Sequence, residues 1–212
     1  MIESEEDARA FTANLGDSAG FERLERLVEL LLEENERQNL VAKPTIPAIW
    51  RRHIADSAQL LALVPGEATG PWLDLGTGAG FPGLVIAALR PGWDVRLVES
   101  RRKRVEWLER TRIELGLGRC TVIGKRLELL KSFPAGVISA RAFAPLPHLL
   151  DLSARFSTNT TFWLLPKGRS AAQELAGLPE SKRKLFHVEQ SQTDPAAGII
   201  TGRLQQEARR SP

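Results

Sequence analysis

Apolar residues recur at helical spacing early in the chain: Phe21, Leu24, Leu27, Val28, Leu31 and Leu32, with glutamate and arginine between them. This is the stripe of an amphipathic helix. The pattern stops near Asn39, and Pro44 and Pro47 mark a break. A second helix is predicted over 48–63, with Ile49, Ile54, Leu60 and Leu61 as its apolar positions. Pro65-Gly66 and Gly70-Pro71 then bracket a linker.

At Trp72 the pattern changes. Trp72-Leu73-Asp74-Leu75 is a short apolar run ending in glycines, which predicts a strand. Further strands are predicted at 95–99, 120–123, 136–140 and 161–165, with helices at 82–89, 101–115 and 145–156. Alternation of this kind predicts an α/β fold, a doubly wound and mostly parallel sheet with helices on both faces. Segments 184–190 and 197–204 read as a closing antiparallel pair. The expected organisation is a helical extension over 1–66 and an α/β domain over 67–212, with no internal repeat.

Composition narrows the class. The chain has 212 residues, 42% hydrophobic and 26% charged, which suits a globular protein with a substantial core. No apolar run approaches the ~20 residues of a membrane span. The first residues are acidic and unlike a secretory leader, and Cys120 alone cannot form an intrachain disulfide. These features together predict a cytoplasmic protein. Net charge is +3, and arginine supplies 22 of the 29 basic residues. Its planar fork suits phosphates and guanine edges, although a GC-rich genome gives the same bias. His148 and His187 have no partners at metal spacing, so no metal is expected.

The most informative stretch runs from Leu73 to Gly83 as LDLGTGAGFPG, where a strand feeds a helix. Ligands of open α/β sheets bind there. Gly78, Gly80 and Gly83 satisfy the dinucleotide spacing, and Glu99 ends the next strand where a ribose-binding acid belongs. Both nicotinamide dinucleotides and S-adenosylmethionine (SAM) carry such a ribose. Asp74 separates them: an acid two residues before Gly76, at the expected mouth of the site, repels a pyrophosphate and attracts a sulfonium and an amino group. SAM is the predicted cofactor. The chain contains no tyrosine, which excludes a Tyr-x-x-x-Lys hydride-transfer site.

The strings LDLGTGAGFPGL, RLVESRRKRVEWL, VIGKRLELL, ISARAFAPL and LLPKG, in that order, resemble the small-subunit ribosomal RNA methyltransferase G family, also called glucose-inhibited division protein B. Upstream, Asn35, Asn39, Leu40, Arg52-His53-Ile54 and Asp56-Ser57 fit its N-terminal pattern. Glu34 and Val41 depart from it, standing where the family usually has Trp and Thr. The resemblance implies a SAM-dependent fold with a helical N-terminal extension and methylation of guanine N7 in 16S ribosomal RNA or a small-subunit particle. It implies that Gly76, Gly78, Gly80 and Phe81 line the methionine end of the cofactor. Glu99 would hold the ribose, and Leu127 and Glu128 would meet the adenine. Arg141 belongs to the family's cofactor site, and its guanidinium suits a cofactor carboxylate or an RNA phosphate equally.

Lys167 and Arg126 are candidates for RNA contact, with a plain surface lysine the alternative for the first. His53 fits either a contact with cofactor or RNA or a histidine bonded between helices. Arg101, Arg102 and Arg104 open a predicted helix against its dipole, which points to phosphate contact; a solvated face with Arg102 paired to Glu106 is the alternative. Guanine N7 carries a free lone pair and no proton, so no general base is assigned. A SAM methyltransferase acting on a small molecule or protein, and a nicotinamide-binding protein, remain the other readings.

Overall fold

A computed structural model describes residues 1–66 and 68–204. The chain opens with α1 (Glu5–Ala13), started by a reciprocal capping box between Ser4 and Asp7. Helix α2 (Ser18–Asn35) is capped by the Asp17 side chain on Gly20 N–H and carries the predicted stripe. The helix predicted over 48–63 is present but changes pitch. A 3-10 segment (Lys43–Ala48) precedes a π-helical segment (Trp50–Ala55), then α3 (Asp56–Ala58) and a second 3-10 segment (Gln59–Leu63). At its start the N–H groups of Trp50 and Arg51 are both received by the Glu5 carboxylate, at 2.9 Å each. This clasps α1 to the π-helical segment.

The α/β part follows as β1 (Trp72–Leu75), α4 (Gly83–Leu89), β2 (Val95–Val98), α5 (Arg102–Glu114), β3 (Cys120–Ile123) and β4 (Val137–Ala140). Then come α6 (Leu146–Ser153), β5 (Phe162–Gly168), α7 (Ala171–Ala176), α8 (Glu180–Arg183), β6 (Phe186–Gln190) and β7 (Gly198–Gly202). The strands form one seven-stranded sheet in the order β3-β2-β1-β4-β5-β7-β6. The first five are parallel; β7 runs antiparallel between β5 and β6, the closing pair read from the sequence.

Two cores cover the two faces of the sheet. Leu24, Leu27 and Leu31 of α2 join Leu84, Ile86 and Leu97 on one face, so the N-terminal helices share a core with the sheet. Helix α4, whose sequence GLVIAAL is apolar on every side but for its glycine, is buried at every position. Leu73, Ile138, Trp163 and Leu149 fill the other face. Strand order reverses between β1 and β4, and the loops leaving these two strands create the site.

Candidate functional site

The turn after β1 is left-handed at Gly76, where φ is 63°. An ideal Cβ there would lie 2.3 Å from Phe143 Cδ2, so the glycine lets the loop after β4 close over the loop after β1. Asp74 lies beneath this turn rather than at its mouth. It is wholly buried, accepting from Gly83 N–H at 3.0 Å and from the Ser139 hydroxyl at 2.7 Å. Trp72 Nε1 donates to the same Ser139 oxygen. The carboxylate thus ties β1, β4 and the start of α4 together. Burial pushes its pKa up to about 6, although the Thr77 and Ser139 hydroxyls, Gly83 N–H and Arg141 pull the other way.

A cavity of about 490 Å³ opens above the turn, in the size range of small-ligand sites. Gly76, Gly78 and Phe81 from the turn line it, together with Glu99 after β2 and Leu127 and Glu128 after β3. Glu99 is buried at the end of β2. Its Oε1 accepts the backbone N–H groups of Ser100 and Arg101 at 2.7 and 2.8 Å, and Oε2 has no hydrogen-bond partner among the described residues. That geometry holds a carboxylate rigid with one oxygen free for a diol. Leu127 is fixed through its carbonyl, which accepts from Arg155. Arg104 turns into the cavity wall, donating to Asn39 O at 3.2 Å and lying over Gly78.

A second cavity, about 810 Å³, adjoins the first. Arg141, Ala142 and Phe143 line both, so this tripeptide is the wall between them. Ala142 has φ 51°, a conformation a non-glycine residue holds only when its surroundings enforce it. Three ion pairs line the second cavity: Lys167–Glu174 at 3.0 Å, Arg52–Asp194 at 3.1 Å and a long Arg141–Asp56 contact at 3.6 Å.

His53 is buried in the same cavity wall, stacked on Phe81 at 5.3 Å between ring centres. Arg141 Nη2 approaches its Nδ1 at 3.3 Å, which makes Nδ1 the acceptor. Nε2 then carries the hydrogen and donates to Thr45 Oγ1 at 2.8 Å. Burial first, and the charges of Arg141 and Arg52 second, push this histidine down to about 3, so it stays neutral. Its place in the structure is the bonded one between helical segments, steadying Arg141.

The family model for rRNA small subunit methyltransferase G matches residues 21–197. The chain is 64% identical to the Ribosomal RNA small subunit methyltransferase G of Erythrobacter litoralis, over 96% of this chain and 98% of that protein. It is 61% identical to that of Novosphingobium aromaticivorans, over 89% and 82%.

The chain belongs to the rRNA small subunit methyltransferase G family.

It is therefore a SAM-dependent methyltransferase. Solved structures share the fold at low identity. A methyltransferase from Geobacter sulfurreducens superposes with a TM-score of 0.57 at 15% identity, over 84% of this chain and 88% of that one. MtNAS crystallised with S-adenosylmethionine gives 0.53 at 17%, over 94% and 77%.

For a methyltransferase of this family the first cavity suits the cofactor: a glycine floor that a Cβ would obstruct, and a rigid acid with a free oxygen. Gly76, Gly78, Phe81, Glu99, Leu127, Glu128 and Arg141 all line that one cavity. Gly80 sits behind the lining, its missing Cβ making room for Leu84. Asp74 and His53 do not line it. The expected RNA-facing cations divide. Lys167 is neither a surface lysine nor free: its side chain is covered, donates to Ala144 O at 2.7 Å and pairs with Glu174. Arg102 is solvent-exposed and pairs with Glu106 at 2.8 Å, the solvated arrangement. Arg101 and Arg126 line the first cavity, and their side chains have no partner among the described residues.

Three residues escaped the sequence reading. Phe143 and Ala142 were visible only as part of the ISARAFAPL string, and Asp56 only as part of an upstream match. The departure at Glu34 has a structural account: it is buried and pairs with Arg110 of α5. Among the described residues no group of side chains could hold a metal, and no helix is long and apolar enough to cross a membrane.

Replacing Glu99 with alanine is expected to weaken SAM and S-adenosylhomocysteine alike, by tenfold or more (about 1.4 kcal/mol). Calorimetry with both ligands checks this. Loss of SAM alone would place Glu99 away from the ribose.

Proposed function

We propose that the chain methylates N7 of a guanine in 16S ribosomal RNA, acting in the cytoplasm where small subunits are assembled. The observation that carries this reading is the shared wall: a cofactor-sized cavity and a larger one meet at Arg141–Phe143, so a base in the second can face a methyl donor in the first. When bound, SAM supplies an activated methyl group. The residues of this chain supply position. N7 needs no deprotonation, so no residue of the wall has to act as a base; His53 is neutral but bonded on both ring nitrogens.

Holding the two reactants in line contributes up to roughly 7–11 kcal/mol of barrier lowering in well-oriented systems. Phe143 offers the wall an aromatic face for the purine, and an extruded or single-stranded nucleotide is what a cavity of this kind accepts. Arg101, Lys125 and Arg126 line the first cavity as cations with no side-chain partner among the described residues, suited to RNA phosphates.

The test is mass mapping of 16S rRNA from cells with and without this protein. One fragment is expected to lose one methyl group from a guanine in the cells lacking it, and purified protein with SAM should restore it. Unchanged rRNA would favour a protein or small-molecule substrate.

A further inference from the structure

We propose that the Arg141–Asp56 pair reads the O6 and N1–H edge of the target guanine, making Asp56 the residue that excludes adenine. This rests on the guanine reading above.

Three carboxylates line the second cavity, and two are fully engaged. Glu174 accepts from Ser170 Oγ at 2.8 Å through Oε1, and from Leu146 N–H at 3.1 Å and Lys167 at 3.0 Å through Oε2. Asp194 accepts from Ala196 N–H at 2.9 Å and from Arg52 at 3.1 Å. Asp56 differs. Its Oδ1 is anchored by Gln59 Nε2 at 3.0 Å and Thr193 Oγ1 at 2.8 Å, while among the described residues Oδ2 has only Arg141 Nη1, 3.6 Å away. That distance is beyond a hydrogen bond.

Arg141 is in the same state. Its contacts are long: 3.3 Å to His53, 3.5 Å to Arg52 O and 3.6 Å to Asp56. The guanidinium is held in place with its donors weakly used. The wall therefore presents a donor beside a rigid, open acceptor.

Guanine presents the complement, the O6 acceptor beside the N1–H donor. Adenine presents the reverse, an amino donor beside the N1 lone pair, which would set donor against Arg141 and lone pair against the Asp56 carboxylate. Reading of a flipped base along this edge leaves N7 free, as methylation requires. An arginine fork on O6 and N7 together would block it. Because Oδ1 is already anchored, the guanine 2-amino group gains little from Asp56, so the pair reads O6 and N1 more than N2.

Small subunits are reconstituted with guanosine, inosine or 2-aminopurine riboside at the nucleotide that mapping identifies. Binding is measured to protein loaded with S-adenosylhomocysteine, so that no methyl moves and N7 reactivity plays no part. Inosine keeps O6 and N1–H, and its affinity is expected within about threefold of guanosine. 2-Aminopurine lacks both and is expected at least tenfold weaker, the size of discrimination a hydrogen-bonding site gives. Equal binding of 2-aminopurine and guanosine by the native protein overturns the proposal with no variant involved.

In Asp56→Ala the guanosine-to-2-aminopurine ratio should fall at least threefold, the Arg141 contact to O6 being kept, while S-adenosylhomocysteine affinity holds. Equal weakening of all three substrates, with the ratio kept, assigns Asp56 a structural role and also overturns it. If mapping finds no modified guanine, the guanine reading itself falls and takes this proposal with it. If mapping finds one and the ratio is flat, only the Asp56 assignment falls.

Discussion

Replacing Gly76 with valine is expected to weaken SAM binding at least tenfold, about 1.4 kcal/mol or more. Two costs act together. Gly76 has φ 63°, which a β-branched residue adopts only under strain. Its Cβ would also fall 2.3 Å from Phe143 Cδ2 and 3.1 Å from Cε2. The valine must push either the glycine turn into the cofactor cavity or Phe143 into the second cavity. Either movement spoils the wall where the two meet, so methyl transfer should suffer more than binding. Calorimetry with SAM, beside a circular-dichroism melt to show that the fold persists, checks this. Gly118→Ala is the control, since a Cβ there meets nothing within 4 Å and no positive φ is involved. Unchanged SAM affinity in the Gly76 variant would remove the turn from the cofactor site.

The sheet was legible because its strands are short apolar runs bounded by glycine, proline and charge, separated by helices of distinct period. The helical run 43–63 was legible as helix but not as a run of changing pitch. Its π-helical start depends on Glu5, some 45 positions upstream, and no local pattern encodes that contact. The glycine turn and Glu99 were legible as neighbours because they sit at strand ends, where open α/β sheets place their ligand clefts.

Asp74 was misplaced for a physical reason. Strand β1 is buried on both faces, so alternation, the usual signal of which side a residue faces, carries no information in it. The ion pair of Lys167 was not legible because its partner Glu174 comes from α7, a helix of six residues with no periodicity to announce it. The second cavity was invisible altogether. Its Asp56, Arg141, Lys167 and Asp194 lie on four distant segments and meet only when β7 inserts beside β5 and the turn after β6 packs on α3. Gln59 marks that packing, accepting from Gln192 N–H at 2.8 Å.

The buried position of Asp74 carries a pH signature that a residue at the mouth of the site would lack. Its folded pKa is raised, to about 6 from 3.8, so protonation favours the folded state. The stabilisation linked to that protonation is fully present below pH 3.8 and is lost as pH rises through 6. An asparagine in its place cannot titrate. It can keep the Gly83 N–H bond through its carbonyl oxygen but turns an amide toward Ser139, at a cost on the order of 1–3 kcal/mol. The stability of the native protein relative to Asp74→Asn should therefore be largest near pH 4. It should shrink by on the order of 3 kcal/mol by pH 8, because each pH unit between the unfolded and folded pKa values is worth about 1.4 kcal/mol. His53 works in the opposite sense: its folded pKa is depressed to about 3, so the stabilisation it gives is full above 6.5 and fades as pH falls. Both proteins contain His53, so its contribution cancels in the difference. Urea unfolding of the two proteins across pH 4 to 8 measures that difference directly. A constant gap would mean that Asp74 does not titrate in this window and that the charge beneath the glycine turn is held by stronger donors than Gly83 and Ser139.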